Sequence, residues 1–134
     1  MKGIADTSFL VAFARDRDMH HGWAVGVAQQ ITEPLLTCES VLSETAFHLG
    51  DAEVVFDMIS EELIRLDFIC NDQLAHLALL AKRYKDRKPD LADLCLIRMS
   101  ELHPKHSVIT VDEDFRVYRR NKREVIPLIS PPGR

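Results

Sequence analysis

The sequence predicts one α/β domain, a mainly parallel sheet of about five strands covered by helices on both faces. Three observations carry this. Short apolar or β-branched segments alternate with helix-period segments along the chain, the pattern that right-handed crossovers turn into a parallel sheet. The 134 residues are 46% hydrophobic and 28% charged, which suits a single globular domain with a real core. No linker, low-complexity tract or repeat breaks the pattern, so residues 1–130 are expected to form one domain and 131–134 a frayed tail.

Each element follows from its residues. Lys2-Gly3-Ile4-Ala5 is a short buried strand ending at Asp6-Thr7-Ser8, where Thr7 or Ser8 is expected to cap the next helix. Phe9 to Ala14 is apolar nearly all round, which predicts a well-buried helix. Beyond the charged link Arg15-Asp16-Arg17-Asp18, a second helix runs from about His20 to Ile31, with Trp23, Val27 and Ile31 on one face. Pro34 ends it, and Leu35-Leu36-Thr37-Cys38 reads as the second strand. Ser40 is expected to cap a helix carrying Val41, Leu42, Ala46, Phe47 and Leu49, with Gly50 as its stop. Asp51 or Ala52 starts another, striped by Val54, Val55, Met58 and Ile59.

Leu63 to Phe68 is the third strand, after which Asn71 or Asp72 is expected to cap a long helix through Leu74, Leu77, Ala81 and Tyr84. Pro89-Asp90-Leu91-Ala92-Asp93 opens the last helix, which ends near His103-Pro104. Ser107 to Val111 is β-branched and forms the fourth strand, terminated by Asp112. Glu124 to Ile129 is a weaker fifth strand whose Pro127 suits an edge.

Composition excludes several classes. No apolar run approaches the ~20 residues that span a bilayer, and Asp6 arrives before a signal-peptide core forms, so the expected location is the cytoplasm, with no membrane partner. Cys38, Cys70 and Cys95 lie far apart in apolar stretches and read as buried reduced thiols; no Cys-x-x-Cys or His-x-x-x-His pair suggests zinc. With five glycines and no Gly-rich loop after a strand, nucleotide-cofactor use is not expected. Net charge is -4, yet the bases are bunched. Lys82, Arg83, Lys85, Arg87 and Lys88 form one cluster, and Arg116, Arg119, Arg120, Lys122 and Arg123 another, each beside an acidic motif. His20 and His21 read as surface or helix-start residues.

The acids carry the chemistry. Open α/β sheets bind ligands beyond the carboxyl ends of their strands, where the strand order reverses. Asp6 follows the first strand and Asp112 the fourth; Asp93 lies in the first turn of the helix before the fourth strand, and Glu44 one turn into the helix after the second. Each also has a plainer reading: Asp90 and Asp93 as capping residues, Asp6 as part of a capped turn, Glu44 as a solvated helix face, Asp112-Glu113-Asp114 as turn chemistry. Together they fall at one end of the predicted sheet, where converging carboxylates repel unless a cation neutralises them. Hard oxygen ligands select Mg²⁺ or Mn²⁺, and such an ion suits phosphodiester hydrolysis, with the basic clusters holding a nucleic-acid backbone.

Three segments, "IADTSFLVAF", "KPDLADLCLIRMSE" and "VITVDEDFRVYRR", resemble the PIN-domain ribonucleases, especially the VapC-type toxins of toxin–antitoxin pairs. The resemblance implies a PIN-like three-layer α/β/α sandwich and a Mg²⁺-dependent endoribonuclease leaving 5′-phosphate and 3′-hydroxyl ends. It makes Asp6 and Asp93 the principal metal ligands, completed by Glu44 and by Asp112, with Asp114 competing for the last place. Thr7 or Ser8, and Thr110, would hydrogen-bond these carboxylates, and Asp90 would serve as cap or outer support. Arg15, Lys85, Arg87, Lys88, Arg116 and Arg119 are the candidates for the RNA backbone. A homodimer and a cognate antitoxin are the implied partners, with surfaces from the apolar early helices. Leu94 and Cys95 depart from the family, which usually has small residues there. The alternatives are a non-toxin RNA-processing nuclease, a catalytically silent RNA-binding module, a receiver-type domain, or an aspartyl-phosphate phosphatase. The last wants Asp-x-Asp after the first strand, where this chain has Asp6-Thr7-Ser8.

Overall fold

The computed structural model describes residues 1–133, so Arg134 of the expected tail lies outside the described residues. Within that tail Pro131 is buried and Pro132 and Gly133 are exposed. Gly3–Ala5 forms β1 and Leu35–Thr37 forms β2, both entirely buried; Ile64–Leu66 forms β3. Ser107–Ile109 (β4) and Leu128–Ile129 (β7) complete a five-stranded sheet in the order β3-β2-β1-β4-β7, all parallel. The chain starts at the centre, moves outward through β2 and β3, and returns to β4 on the other side of β1. The strand order therefore reverses between β1 and β4, where Gly3, Ile4 and Ala5 pair with Ser107, Val108 and Ile109.

The helices are α1 (Thr7–Ala14), α2 (His21–Ala28), α3 (Glu39–Leu49), α4 (Ala52–Ser60), α5 (Leu74–Arg83) and α6 (Leu91–Leu102). With the sheet between them they make the expected three-layer sandwich: α1 packs on α2 and α3, and α6 packs on α5 and lies against β1 and β4. Ile4, Phe9, Leu10, Leu35, Ile97 and Ile109 are fully buried in one continuous core. Burying each such side chain contributes roughly 1.5–3 kcal/mol.

Several local expectations shift. Asp6, not Thr7 or Ser8, caps α1: its Oδ1 accepts from the Phe9 amide at 3.0 Å. Cys38 takes the N-cap position of α3, and Ser40 lies inside the helix. The second helix stops at Ala28 rather than Ile31, and the third strand is only Ile64–Leu66. The long helix expected from Asn71 or Asp72 is a 3-10 turn, Cys70–Gln73, followed by α5, which has no side-chain cap. Phe47 is 82% exposed because α3 buries the face of Val41, Leu42 and Thr45. Asp51 and Asp90 cap helix starts where expected, Asp51 accepting from the Glu53 amide and Asp90 from the Asp93 amide, both at 2.9 Å, and Gly50 stops α3 as expected with φ of 67°.

The expected fifth strand is divided. Glu124–Val125 (β6) pairs antiparallel with Arg119–Arg120 (β5) as a hairpin, whose turn residues Asn121 and Lys122 take φ of 48° and 73°. The chain then crosses at Ile126-Pro127 to place β7 at the sheet edge beside β4, and the Pro127 carbonyl accepts from the Val108 amide at 2.9 Å.

Gly3 is required by packing. A Cβ there would stand 2.6 Å from Ile109 Cδ1 and 2.9 Å from Leu35 Cδ2, both fully buried neighbours. Gly3→Ala is expected to lower unfolding free energy by about 1–3 kcal/mol, read from the shift in a urea midpoint at unchanged slope.

Candidate functional site

The β1/β4 reversal opens into a cleft of about 540 Å³. Asp6, Glu44, Asp90, Asp93, Asp112 and Asp114 all line it, so the acids expected at one rim do share one. Each arrives by a different route. Asp6 is the first residue beyond β1, and because it caps α1 its carboxylate is pinned between strand and helix. Glu44 lies on the second turn of α3. Asp93 sits in the first turn of α6, whose entry Asp90 fixes by capping. Asp112 caps the 3-10 turn Glu113–Arg116 after β4, accepting from the Asp114 amide at 2.8 Å.

Hydroxyl groups hold these carboxylates. Ser8 Oγ donates to Asp6 Oδ1 at 2.7 Å, and Thr110 Oγ1 donates to Asp6 Oδ2. Thr110 and Ser8 in turn accept from the Asp112 and Val111 amides at 2.8 and 2.9 Å, which locks the β1 and β4 ends together. Thr7 Oγ1 donates to Glu44 Oε1 at 2.8 Å. The three hydroxyls the sequence marked thus all reach a carboxylate, Ser8 and Thr110 on Asp6 and Thr7 on Glu44.

The electrostatics are strained by proximity and burial. Burial pushes the Asp6 carboxyl up to about 6, against the hydrogen bonds of Thr110, Phe9 and Ser8, with the Asp112 charge adding to the rise. Asp93 is pushed up to about 7, first by burial and then by the charges of Asp90, Asp112 and Glu44. Glu44 and Asp112 also rise, each mainly through burial. An all-oxygen, anionic donor set, offset in part by Lys88 at the rim and by the Arg87–Asp114 pair, matches the chemistry of a hard divalent cation. Among the described residues no group of three or more His, Cys, Asp or Glu side chains is gathered closely enough to hold a metal ion as it stands. The fit is one of chemistry and converging direction.

Three residues at this site carried no functional mark in the sequence. His20 and His48 both line the cleft, and His48 follows Glu44 by one turn on α3, a spacing that places it on the same face. Tyr118 is buried, and its hydroxyl donates to Asp93 Oδ2 at 3.4 Å; burial and the acids Asp93, Asp114 and Asp112 raise it far above its ordinary range. No local pattern marks Tyr118, which reaches Asp93 only through packing against Tyr84 and Phe115.

The basic candidates separate. Lys88 lines the cleft, at a left-handed backbone position with φ of 51°. Lys85 is exposed on a 3-10 turn beside it. Arg87 pairs with Asp114 at 3.3 Å, and Arg15 donates to the His48 carbonyl. Arg116 pairs with Glu113 at 2.8 Å, and Arg119 donates to the carbonyls of Arg116, Val117 and Tyr118. Arg120 is buried against Glu124 and Ser100, so this member of the second cluster holds the hairpin to α6.

Comparison with known proteins agrees with this architecture. The PIN domain family model matches residues 4–121. Among solved structures, that of Mycobacterium tuberculosis VapC20, described as a sarcin-ricin loop cleaving toxin, aligns with a TM-score of 0.73 over 85% of this chain and 92% of that one, at 21% identity. Likeness at that identity speaks for the fold. No curated protein matches the chain. No helix among the described residues is long and apolar enough to cross a membrane.

Proposed function

Because the chain belongs to the PIN domain family, we propose that it is a Mg²⁺-dependent endoribonuclease and the toxin of a toxin–antitoxin pair. The observation that carries this reading is the convergence of Asp6, Glu44, Asp93 and Asp112 on one cleft at the strand-order reversal, with their carboxyls pushed upward by burial and mutual charge. Asp6 and Asp93, with Glu44, Asp112 and in competition Asp114, would hold Mg²⁺, for which Mn²⁺ is a substitute. Such an ion supplies a reactive water and charge neutralisation at a phosphate when bound.

The chain's own residues supply orientation. Ser8 and Thr110 fix both oxygens of Asp6, Thr7 steers Glu44, and Tyr118 steers Asp93. Asp90 sets the first turn of α6 and so the height of Asp93 over the sheet. Lys88 at the rim, with Lys85 beside it, provides positive charge for a ribose-phosphate backbone. The toxin assignment is supported by the fold shared with VapC20. An exposed apolar groove between α3 and α4, lined by Leu42, Ala46, Val55, Phe56, Ile59 and Leu66, suits the antitoxin or a second copy of the chain.

The test is cleavage of RNA by the purified protein in Mg²⁺, in Mn²⁺ and in EDTA, with mapping of the new ends. Cleavage in either cation, none in EDTA, and 5′-phosphate products are expected. Cleavage that persists undiminished in EDTA, or no cleavage of structured or unstructured RNA in either cation, overturns the assignment.

A further inference from the structure

Phe47 and His48 stand where the acid cleft meets solvent. Glu44, Phe47 and His48 lie at i, i+3 and i+4 on α3, a spacing that makes the two rings neighbours of the carboxylate. Glu44 and His48 both line the cleft. Phe47 is 82% exposed, and its ring meets the His48 ring edge-on, with centroids 5.6 Å apart and planes inclined at 71°. Helical side chains lean toward the N-terminus of their helix, which brings both rings back over the Glu44 turn. The end of α3 that carries them is held in place. Gly50 closes the helix in a left-handed conformation, and the Arg15 guanidinium donates to the His48 carbonyl, setting an exposed cation beside the rings.

Single exposed apolar side chains are ordinary; this one is set apart by its neighbours. The α3–α4 groove takes Glu39, Leu42, Ser43 and Ala46 from α3, and Phe47 stands outside that set. Beside Phe47 are a carboxylate, an imidazole and a guanidinium, polar groups that an apolar protein partner would desolvate at a cost. A nucleotide suits all of them: its base offers a π-face, its phosphate an anion, and its ribose and base edges hydrogen-bonding groups.

We propose, on the strength of the nuclease reading, that the Phe47–His48 pair is a stacking platform for an unpaired nucleotide of the RNA substrate. The base lies on the exposed face of the Phe47 ring, and His48 borders the nucleotide on the side of the cleft. The adjoining phosphate is thereby positioned toward Asp6, Glu44 and Asp93, with Arg15 and Lys88 against the flanking backbone. A base inside a duplex has no free face to offer, so the platform selects RNA that is single-stranded at the cut. Stacking is tolerant of base identity, so the choice is of unpaired over paired rather than of one sequence.

The experiment measures binding apart from cleavage, with the wild-type chain in EDTA and again in Ca²⁺, the probe being checked intact on a gel. The probe is a short oligouridylate with an end label and a single 2-aminopurine, whose fluorescence falls when it stacks on an aromatic ring. Wild type is expected to bind the single strand more tightly than the same strand in a duplex, and to quench the 2-aminopurine. Phe47→Ala is expected to weaken single-strand binding by about tenfold and to abolish quenching, with duplex binding little changed. Phe47→Trp restores both, and His48→Ala lowers affinity while quenching remains. Both positions are exposed, and a thermal melt of each variant confirms the fold. Single-strand affinity and quenching unchanged in Phe47→Ala overturn the proposal, as does absence of RNA binding by wild type in both solutions. Altered self-association of Phe47→Ala in sedimentation, with RNA binding as before, overturns it in favour of a protein-docking face. Phe47-dependent binding by a chain that fails to cleave RNA in Mg²⁺ or Mn²⁺ upholds the platform and removes the nuclease reading.

Discussion

Asp6→Asn and Asp93→Asn each lower RNA cleavage by a factor of about 10³ or more, while the protein stays folded. The loss is about 4 kcal/mol of transition-state stabilisation, since each tenfold corresponds to ~1.4 kcal/mol. Both substitutions keep shape and remove charge. At Asp6 the amide oxygen still accepts from the Phe9 amide and the Ser8 hydroxyl, so the cap on α1 survives, and Thr110 can turn to accept from the new amide. Stability is expected to hold or rise near neutral pH, because burial already works against the charged form at both positions. Asp112→Asn is expected to cost more than Asp114→Asn, whose carboxylate is drawn aside to Arg87. Cleavage rates on one RNA, beside thermal melts of the same preparations, check all four. Full activity in both Asp6→Asn and Asp93→Asn would overturn the assignment of the nuclease site.

Metal and pH should act on stability in opposite senses. A carboxyl raised in the folded protein holds its proton where the unfolded chain has released it. The stability this confers is complete below the ordinary carboxylate value and is lost as pH rises through the folded value. For Asp6 and Asp93 the window runs from 3.8 to about 6 and about 7. The metal-free protein is therefore expected to melt higher at about pH 5 than at about pH 7.5, by roughly 1–1.5 kcal/mol from Asp6, because pH 5 already lies above the ordinary carboxylate value. Asp93 adds less, being partly solvated. His106, held below its ordinary range mainly by burial, pulls the other way near its own titration. The comparison of wild type with Asp6→Asn removes that contribution. Mg²⁺ or Mn²⁺ at a hundredfold excess over its dissociation constant adds about 2.7 kcal/mol, worth roughly 5–15 °C in a domain of this size. The gain should be large at pH 7.5 and small at pH 5, where protons compete for the same oxygens. Melting temperatures insensitive to both cations at both pH values would remove the metal from the site.

Much of this was legible in the residues, and the failures share a cause. Asp6-Thr7-Ser8 contains three capping types in a row, and nothing within one turn chooses between them. The choice falls to Asp6 because Thr7 is taken by Glu44 and Ser8 by Val111 as well as by Asp6 itself, and Glu44 and Val111 come from other elements. Glu124 to Ile129 reads as one strand, but the hairpin with Arg119–Arg120 claims its first half and β4 its second. The second basic cluster looks uniform in sequence; burial of Arg120 against Ser100 and the ion pair of Arg116 with Glu113 divide it.

The sequence alone determined the alternation of strands and helices, the Asp90 cap that opens α6, and the placement of Asp6 and Asp112 after their strands. These depend on periodicity, capping chemistry and the handedness of crossovers, all of which act within a few residues or one connection. Tertiary structure alone decided that Tyr118 meets Asp93, that His48 joins the cleft, and that Arg120 is buried against Ser100. Those contacts join residues from elements that local propensity treats as independent. They exist because close packing of the sheet and its helices leaves one arrangement in which the distant side chains touch.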